Sequence, residues 1–267
     1  MPPLTWLYVP AYRLDRVEKA IASAAHAVIV DLEDGVAPGA KAAARANLAS
    51  LLGEAREKPV YVRVNAGVPE DTDAVAELPL SGVVVPKVAR PDDVPAIGLP
   101  VQCLIESAAG VEAAYAIASA PGVAGISLGE SDLRSETGAL EAGLDWARGR
   151  IVNAAVAAGL PRPPQSVYPD VRDEEGLARS CARGRELGHL GRAAIHPDQL
   201  PVIEQAYLPT EEEVDRARAT VDRLEAAGAG TLGGGEFVDA AMLGAARQLL
   251  ALAAAYGTST RPSPRRN

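Results

Sequence analysis

Aromatic side chains are scarce in this 267-residue chain, 4% in all, with one Phe, two Trp and seven Tyr. Its interior must therefore be built from the aliphatic part of the 48% hydrophobic fraction, the composition of Val- and Leu-rich strands sheathed by alanine-rich helices. Cysteine is nearly absent too. Cys103 and Cys181 form no framework or metal spacing, which excludes a disulfide scaffold and points to a reducing compartment. Cys103, inside an apolar run, is expected in the core. The three histidines, His26, His189 and His196, are too scattered for a zinc triad. His196, at the end of AIHP, is open to two readings, orienting a group at the mouth of the fold or simply being hydrogen-bonded.

Long apolar runs are missing, and MPPLTWLYVPAYR has no basic leader, so no membrane association and a cytoplasmic location are expected. A basic excess is missing as well: 26 Lys and Arg stand against 35 Asp and Glu, a net charge of -9, which excludes a phosphate-tracking nucleic-acid surface. No G-x-G-x-x-G follows the first apolar run, so a dinucleotide-binding sheet is excluded. TLGGGE near residue 235 lacks the lysine and hydroxyl of a phosphate loop and reads as a hinge.

What is present is a rhythm. Eight short apolar runs, LTWLYVP, AVIVDLED, VYVRVN, GVVVPKV, VQCLIES, GISLGESD, QSVYPD and RAAIHP, are continuous rather than alternating, as strands covered on both faces are. Helix-like stretches fall between several of them, at 14–25, 40–52, 109–118, 143–158 and 174–186. Repeated βα units with this count predict a (β/α)8 TIM barrel over 1–209, with a degenerate unit where GVVVPKV and VQCLIES nearly abut. Helices at 211–227 and 239–256 joined by a glycine-rich link at 228–235 predict a C-terminal helical extension over 210–257. Residues 258–267, TSTRPSPRRN, predict a disordered tail.

Carboxylates stand at the ends of these runs, and in a parallel α/β protein all strand C-termini open on one face. Glu106 and Asp132 end neighbouring runs, where two carboxylates can share one Mg²⁺ while water and substrate oxygens complete its shell. Helix capping would place them equally well. Asp31, Glu33 and Asp34 form a dense cluster that needs cations or hydrogen-bond donors to offset repulsion, with Lys41 or Arg45 as candidate partners. Arg63 interrupts an apolar strand and can either clamp a substrate carboxylate or neutralise that cluster. Lys87, among carboxylates, is held charged and reads as a charge-balancing or carboxylate-binding group rather than a Schiff-base nucleophile.

With these residues located, the chain resembles the β subunit of citrate lyase and the malyl-CoA and citramalyl-CoA lyases of the HpcH/HpaI aldolase superfamily. The resemblance runs nearly end to end, through LYVPAYRLDRVEKA, VIVDLEDGVAPGAKAAAR, VRVNAG, VVVPKV, LIESAAGV, ISLGESDLR, SVYPDVRDEEGL, AIHPDQL and GEFVDAAML. It implies a Mg²⁺-dependent barrel lyase, commonly a homotrimer, that cleaves or forms a carbon–carbon bond beside a CoA thioester, with a keto acid as second substrate and an acyl carrier protein as a possible alternative carrier. On this resemblance Glu106 and Asp132 match the metal ligands, Arg63 the substrate-binding arginine, and Glu33 with Asp34 the acidic pair beside the metal. Arg13, Arg16 and Lys19 match positions that bind CoA phosphates.

Asp239, which by residue type alone is a helix N-cap, matches an aspartate that reaches a neighbouring subunit's site as acid or base. GEFVDAA departs from the usual G-K-M-V-D-x-P, and Ala11 and Ala89 replace a usual glycine and glutamate. These departures bear on acyl specificity. Alternatives within the resemblance are a malyl-CoA thioesterase, a CoA-independent aldolase acting on pyruvate, and a non-catalytic subunit.

Overall fold

A computed structural model of the chain describes residues 1–227, 229–231 and 237–260. Two compact units arise, one of Pro2–Ile203 and one that begins at Glu204 and includes Met1.

The first unit is a seven-stranded parallel sheet. Its strands are β1 (Thr5–Pro10), β2 (Ala27–Asp31), β3 (Val60–Arg63), β4 (Gly82–Val85), β5 (Val101–Ile105), β6 (Val123–Leu128) and β7 (Arg192–Ala194). They are ordered β6-β5-β4-β3-β2-β1-β7. Alternation sorts the side chains. Trp6, Ile29, Val84, Leu104 and Ala193 meet on the inner face, with the rings of Trp6 and Tyr61 5.0 Å apart. Val28, Val30, Val62, Val83 and Cys103 are buried outside that cluster, on the pleat's opposite parity. Leu104 and Ala193 come from near the two ends of the strand order yet share one apolar cluster, so the sheet is curled.

Seven of the eight expected runs form strands. QSVYPD does not: its sheet pairing is a single parallel bridge from Gln165 to Arg192. Pro163, Pro164 and Pro169 remove three backbone donors around that bridge, which no ladder tolerates. Between Gln165 and β6 the described residues show no ladder, although the Glu130 N–H donates to Ser166 Oγ at 3.5 Å.

Helices cover the outside of the sheet. Leu14–Ala22, Lys41–Leu52, Asp145–Ala157 and Glu174–Glu186 lie within a few residues of expectation. The stretch 109–118 is broken into Ala108–Glu112 and Ala114–Ala118, and the β4–β5 link carries only a 3-10 turn at Pro91–Asp93. Pro69–Ala76, Glu130–Thr137 and Gln199–Tyr207 are further helices, too short or too polar for their periodicity to stand out.

In the second unit, helices Glu211–Ala227 and Ala240–Tyr256 are joined side by side by an Arg247–Glu225 ion pair of 2.8 Å, and Gly230–Thr231 pairs antiparallel with Phe237–Val238. Of the glycine-rich link, Gly228 and residues 232–236 lie outside the described residues. Disorder does not extend over all of 258–267, because Ser259 is buried. Its N–H donates to the Pro209 carbonyl at 2.8 Å and its hydroxyl to that of Gln205. Residues 261–267 lie outside the described residues. Among the described residues, no helix is long and apolar enough to cross a membrane.

Candidate active site at the strand C-termini

The ends of β1 to β6 surround a cavity of about 470 Å³ whose wall includes Tyr8, Asp31, Arg63, Glu106 and Asp132. The apolar inner cluster forms its floor, with Trp6, Ile29, Val84 and Leu104 in both. Polar groups are thus gathered at one end of an oily chamber, where electrostatic interactions are strong.

Asp31 closes β2 directly opposite Arg63, which closes β3. The Arg63 guanidinium donates from Nε and Nη2 to the two Asp31 carboxylate oxygens, each at 2.7 Å, a bidentate pair of the strongest kind. The same oxygens accept the N–H groups of Glu33 at 2.9 Å and Gly35 at 2.8 Å. A side chain at position 35 would put its Cβ 2.5 Å from Asp31 Oδ2, so only glycine permits this closure. Burial pulls the Arg63 proton affinity down, but Asp31 outweighs it and the guanidinium is held well above its usual range. Its plane also lies 5.0 Å from the centre of the Tyr8 ring, whose hydroxyl burial pushes up.

Glu33 is enclosed by cations. Its Oε1 accepts a 2.6 Å hydrogen bond from Lys87 Nζ, and its Oε2 sits 3.0 Å from Arg63 Nη1. That second contact lacks hydrogen-bond alignment, leaving Oε2 buried without a donor; charge proximity is the interaction there. The hydrogen bond to Glu33 leads the causes that hold the half-exposed Lys87 above its usual range. Asp34 is exposed and 3.9 Å from Arg63.

The partners expected for this cluster, Lys41 and Arg45, serve otherwise. Lys41 Nζ donates to the Leu32 and Glu33 carbonyls and to Asn65, pinning the backbone of the acidic loop, and Arg45 pairs with the buried Asp71 at 2.7 Å. The reason is reach along the helix Lys41–Leu52: its side chains meet the loop from the outer layer, while the strand-end Arg63 meets the carboxylates from within.

Glu106 ends β5, is 8% exposed, and lies beside Gly129, where a Cβ would fall 2.4 Å from Glu106 Cγ. Burial, reinforced by the charges of Glu33 and Asp132, raises its pKa to about 7. Asp132 is exposed to the cavity from the first turn of the helix Glu130–Thr137. Among the described residues no three His, Cys, Asp or Glu side chains converge as a ready-made metal cluster. Two carboxylates, one of them kept costly to ionise, nevertheless fit a hard divalent cation that takes its remaining oxygens from water and substrate.

The other candidates distribute unevenly. Arg16 lines the cavity, Arg13 is engaged by Asp15 at 3.3 Å, and Lys19 lies in the last turn of Leu14–Ala22, on the exposed surface. Asp239 belongs to the second unit, where its carboxylate accepts the Ala241 N–H at 3.0 Å as the N-cap of Ala240–Tyr256. His196 is exposed and 3.4 Å from Asp198.

Arg63 does neutralise the acidic cluster, one of the two roles its place in the sequence allowed, but three features lay beyond sequence reasoning: the choice of Asp31 within that cluster, the Tyr8 ring beneath the guanidinium, and Arg148. Buried at 2% exposure, Arg148 grips Glu130 bidentately at 2.8 and 2.6 Å and also holds Glu141 and Asp145. Strand parity relative to Arg63 would have signalled the first two; nothing in DWARGR signals the burial of Arg148.

Known proteins resemble this chain in sequence and in fold. A (3S)-malyl-CoA thioesterase of Cereibacter sphaeroides is 35% identical over 83% of this chain and 82% of its own length. A citrate lyase subunit beta-like protein of Deinococcus radiodurans is 36% identical over 91% of this chain and 95% of its own. The crystal structure of CitE from Mycobacterium tuberculosis in complex with magnesium, acetoacetate and coenzyme A superposes with a TM-score of 0.83 at 32% identity, covering 94% and 97% of the two chains. Residues 4–98 and 98–197 match the family described as HpcH/HpaI aldolase/citrate lyase, and with identities above 30% over most of its length the chain belongs to that family.

Proposed function

We propose that this protein is a Mg²⁺-dependent carbon–carbon lyase that cleaves a 3-hydroxyacyl thioester such as malyl-CoA, citramalyl-CoA or a citryl thioester into an acetyl thioester and a 2-keto acid, or joins the two by Claisen condensation. The observation that carries this reading is the pairing of Glu106 and Asp132 on one cavity wall, with the Arg63 charge close by. The Mg²⁺ and coenzyme A held by the Mycobacterium tuberculosis neighbour support the same ligands here.

Glu106 and Asp132 would hold the cation, which when bound polarises a carbonyl oxygen and orients a small acid. The remaining work falls to the chain itself. The Arg63 side chain, fixed by Asp31, presents its charge to the oxyanion that develops as the new bond forms, without having to reorganise. In the synthetic direction Asp239, supplied by a neighbouring subunit of a homotrimer, takes a proton from the acetyl methyl. The thioester enolate attacks the keto carbon, and the resulting alkoxide is protonated from solvent; cleavage follows the same path in reverse. Arg16 at the cavity rim, with Arg13 and Lys19 beyond it, offers positive charge to the phosphates of CoA. Asp34 on the cavity wall, and beyond it the Lys87–Glu33 pair, contribute charge toward the keto acid. Closure of the sheet into a (β/α)8 barrel, with 210–257 as a lid, belongs to this reading.

One rival has an observation of its own. The 35% identical malyl-CoA thioesterase favours hydrolysis, in which water adds to the thioester carbonyl and the carbon–sulfur bond breaks to give malate and the free CoA thiol. The deciding assay incubates the protein with malyl-CoA and citramalyl-CoA, with Mg²⁺ or EDTA, and separates the products chromatographically. Acetyl-CoA with glyoxylate or pyruvate, abolished by EDTA and by Asp132→Ala, is the expected result. Free CoA with intact malate would replace lyase by thioesterase, and no turnover of either would overturn the CoA-thioester reading.

A further inference from the structure

Lys87 is the only non-glycine residue among the described residues with a left-handed backbone, at φ 60°. Such a conformation at a residue with a side chain costs on the order of 1 kcal/mol or more and persists where the surroundings impose it.

The hydrogen-bond ladder shows what imposes it. Along β4 and β5 the Val83 N–H donates to the Pro100 carbonyl at 2.9 Å, and Val85 stands opposite Cys103. Continued in step, the parallel ladder would bring the Lys87 N–H to the Leu104 carbonyl. Instead the Val88 N–H takes that carbonyl, at 3.1 Å, one residue late. One residue has been inserted, a bulge of the kind that re-aims a group beside a site. The N–H it frees is that of Lys87, which donates to Glu106 Oε2 at 3.0 Å. Among the described residues Glu106 Oε1 accepts no hydrogen bond, while the carboxylate faces the cavity. The same residue sends its ammonium in another direction, to Glu33 at 2.6 Å.

We infer that Lys87 is a positioning residue whose bulged, left-handed backbone N–H, rather than its ammonium, fixes Glu106 with one oxygen tethered and the other presented to a divalent cation. This rests on the assignment of Glu106 as a cation ligand made above. The ammonium has a separate task, holding Glu33 so that it does not compete for the same cation.

The two roles separate by substitution. Lys87→Gly and Lys87→Asn remove the ammonium but accept a left-handed backbone readily, whereas Lys87→Val removes the same charge and resists that backbone. The probe is Mn²⁺ binding to each protein without substrate, followed by calorimetry and by the electron spin resonance of the free ion. Glu106→Gln serves as the control for the ligand itself. Gly and Asn variants are expected to bind Mn²⁺ with affinities within about threefold of each other, and the Val variant at least roughly tenfold more weakly, the loss typical of a missing partner behind a metal ligand. A role confined to stability would lower the melting temperature of the Val variant without moving its affinity relative to Gly and Asn.

Equal affinity in all three variants overturns the proposal. Affinity as weak in Gly and Asn as in Val, all far below wild type, also overturns it and assigns the effect to the ammonium. Unimpaired binding by Glu106→Gln would instead overturn the ligand assignment, a different result from either. Where the Val variant does not fold, the α-hydroxy analogue of lysine at position 87, which exchanges only the N–H for an ester oxygen, is expected to show the same loss.

Discussion

Glu106 keeps its proton to a pH at which an ordinary carboxyl has lost it, because burial penalises its charge and Glu33 and Asp132 repel it. The stability this contributes has a definite sign. A carboxyl whose folded pKa is raised favours the native state fully below its unfolded value near 4.5, and that advantage is lost as the pH climbs through about 7. Metal-free protein is therefore expected to become less stable across that window relative to Glu106→Gln, whose side chain is uncharged throughout. Melting temperatures of the two proteins measured from pH 5 to 8 should diverge up to about pH 7 and run parallel above it. A constant difference would mean that Glu106 titrates as an ordinary carboxyl. Saturating Mg²⁺ should narrow the gap by stabilising wild type alone, since a ligand bound only to the native state adds stability by mass action. Mg²⁺ affinity itself should rise with pH over the same interval, as binding requires the deprotonated carboxylate.

At the scale of elements, the helix Glu130–Thr137 carries Asp132 in its first turn, and Arg148 decides where that helix sits. Glu130 precedes Asp132 by two residues and is gripped bidentately by the Nε–Nη2 edge of the Arg148 guanidinium. Glu141, Asp145, Arg134 and Arg183 extend the network to the neighbouring turn and helices. Arg148→Met leaves the buried Glu130 carboxylate with only the longer 3.7 Å contact to Arg134, against a cost of about 3–5 kcal/mol for breaking a buried pair outright. A large drop in melting temperature is expected, accompanied by weakened Mg²⁺ binding as Asp132 shifts. The double variant Glu130→Met with Arg148→Met removes both charges and should recover most of the stability but not the affinity. If the single variant binds Mg²⁺ as wild type does, the helix is positioned by other contacts.

This network marks the boundary of what the sequence could tell. Continuous aliphatic runs announced a parallel sheet, because strands covered on both faces admit little else, and the carboxylates at their ends announced the face that bears the site. The ion pairs within that site depend on register. Arg63 meets Asp31 because β2 and β3 pair at those two residues, and a shift of one position would have turned the guanidinium into the helical layer. QSVYPD looked like a strand by apolar content, yet its prolines leave too few donors for a ladder. The Lys87 bulge was beyond reach, since VVVPKV contains no glycine to betray a left-handed residue. Arg148 was beyond reach for a different reason: a buried arginine is defined by the acids around it, here Glu130 from the preceding helix, Glu141 from the turn after it and Asp145 from its own helix.

For the molecule as a whole, the role proposed for Asp239 as acid or base turns on which subunit it serves. In this chain its carboxylate caps Ala240–Tyr256, and that helix carries one charged residue, Arg247, while burying only Ala246 and Leu252 within its own chain. So apolar a helix with so little buried is the kind of surface a second copy covers. If each site draws Asp132 from one subunit and Asp239 from its neighbour in a closed ring, Asp132→Ala and Asp239→Ala proteins are each inactive for complementary reasons. Mixed in equal amounts and allowed to exchange subunits, random assembly gives about one site in four both intact residues. Activity should then rise from near zero to about a quarter of the wild-type value per site, on the time scale of exchange measured with a fluorescent label. Mixing that restores nothing, although the label shows full exchange, would place Asp239 in the service of its own chain or outside the reaction altogether.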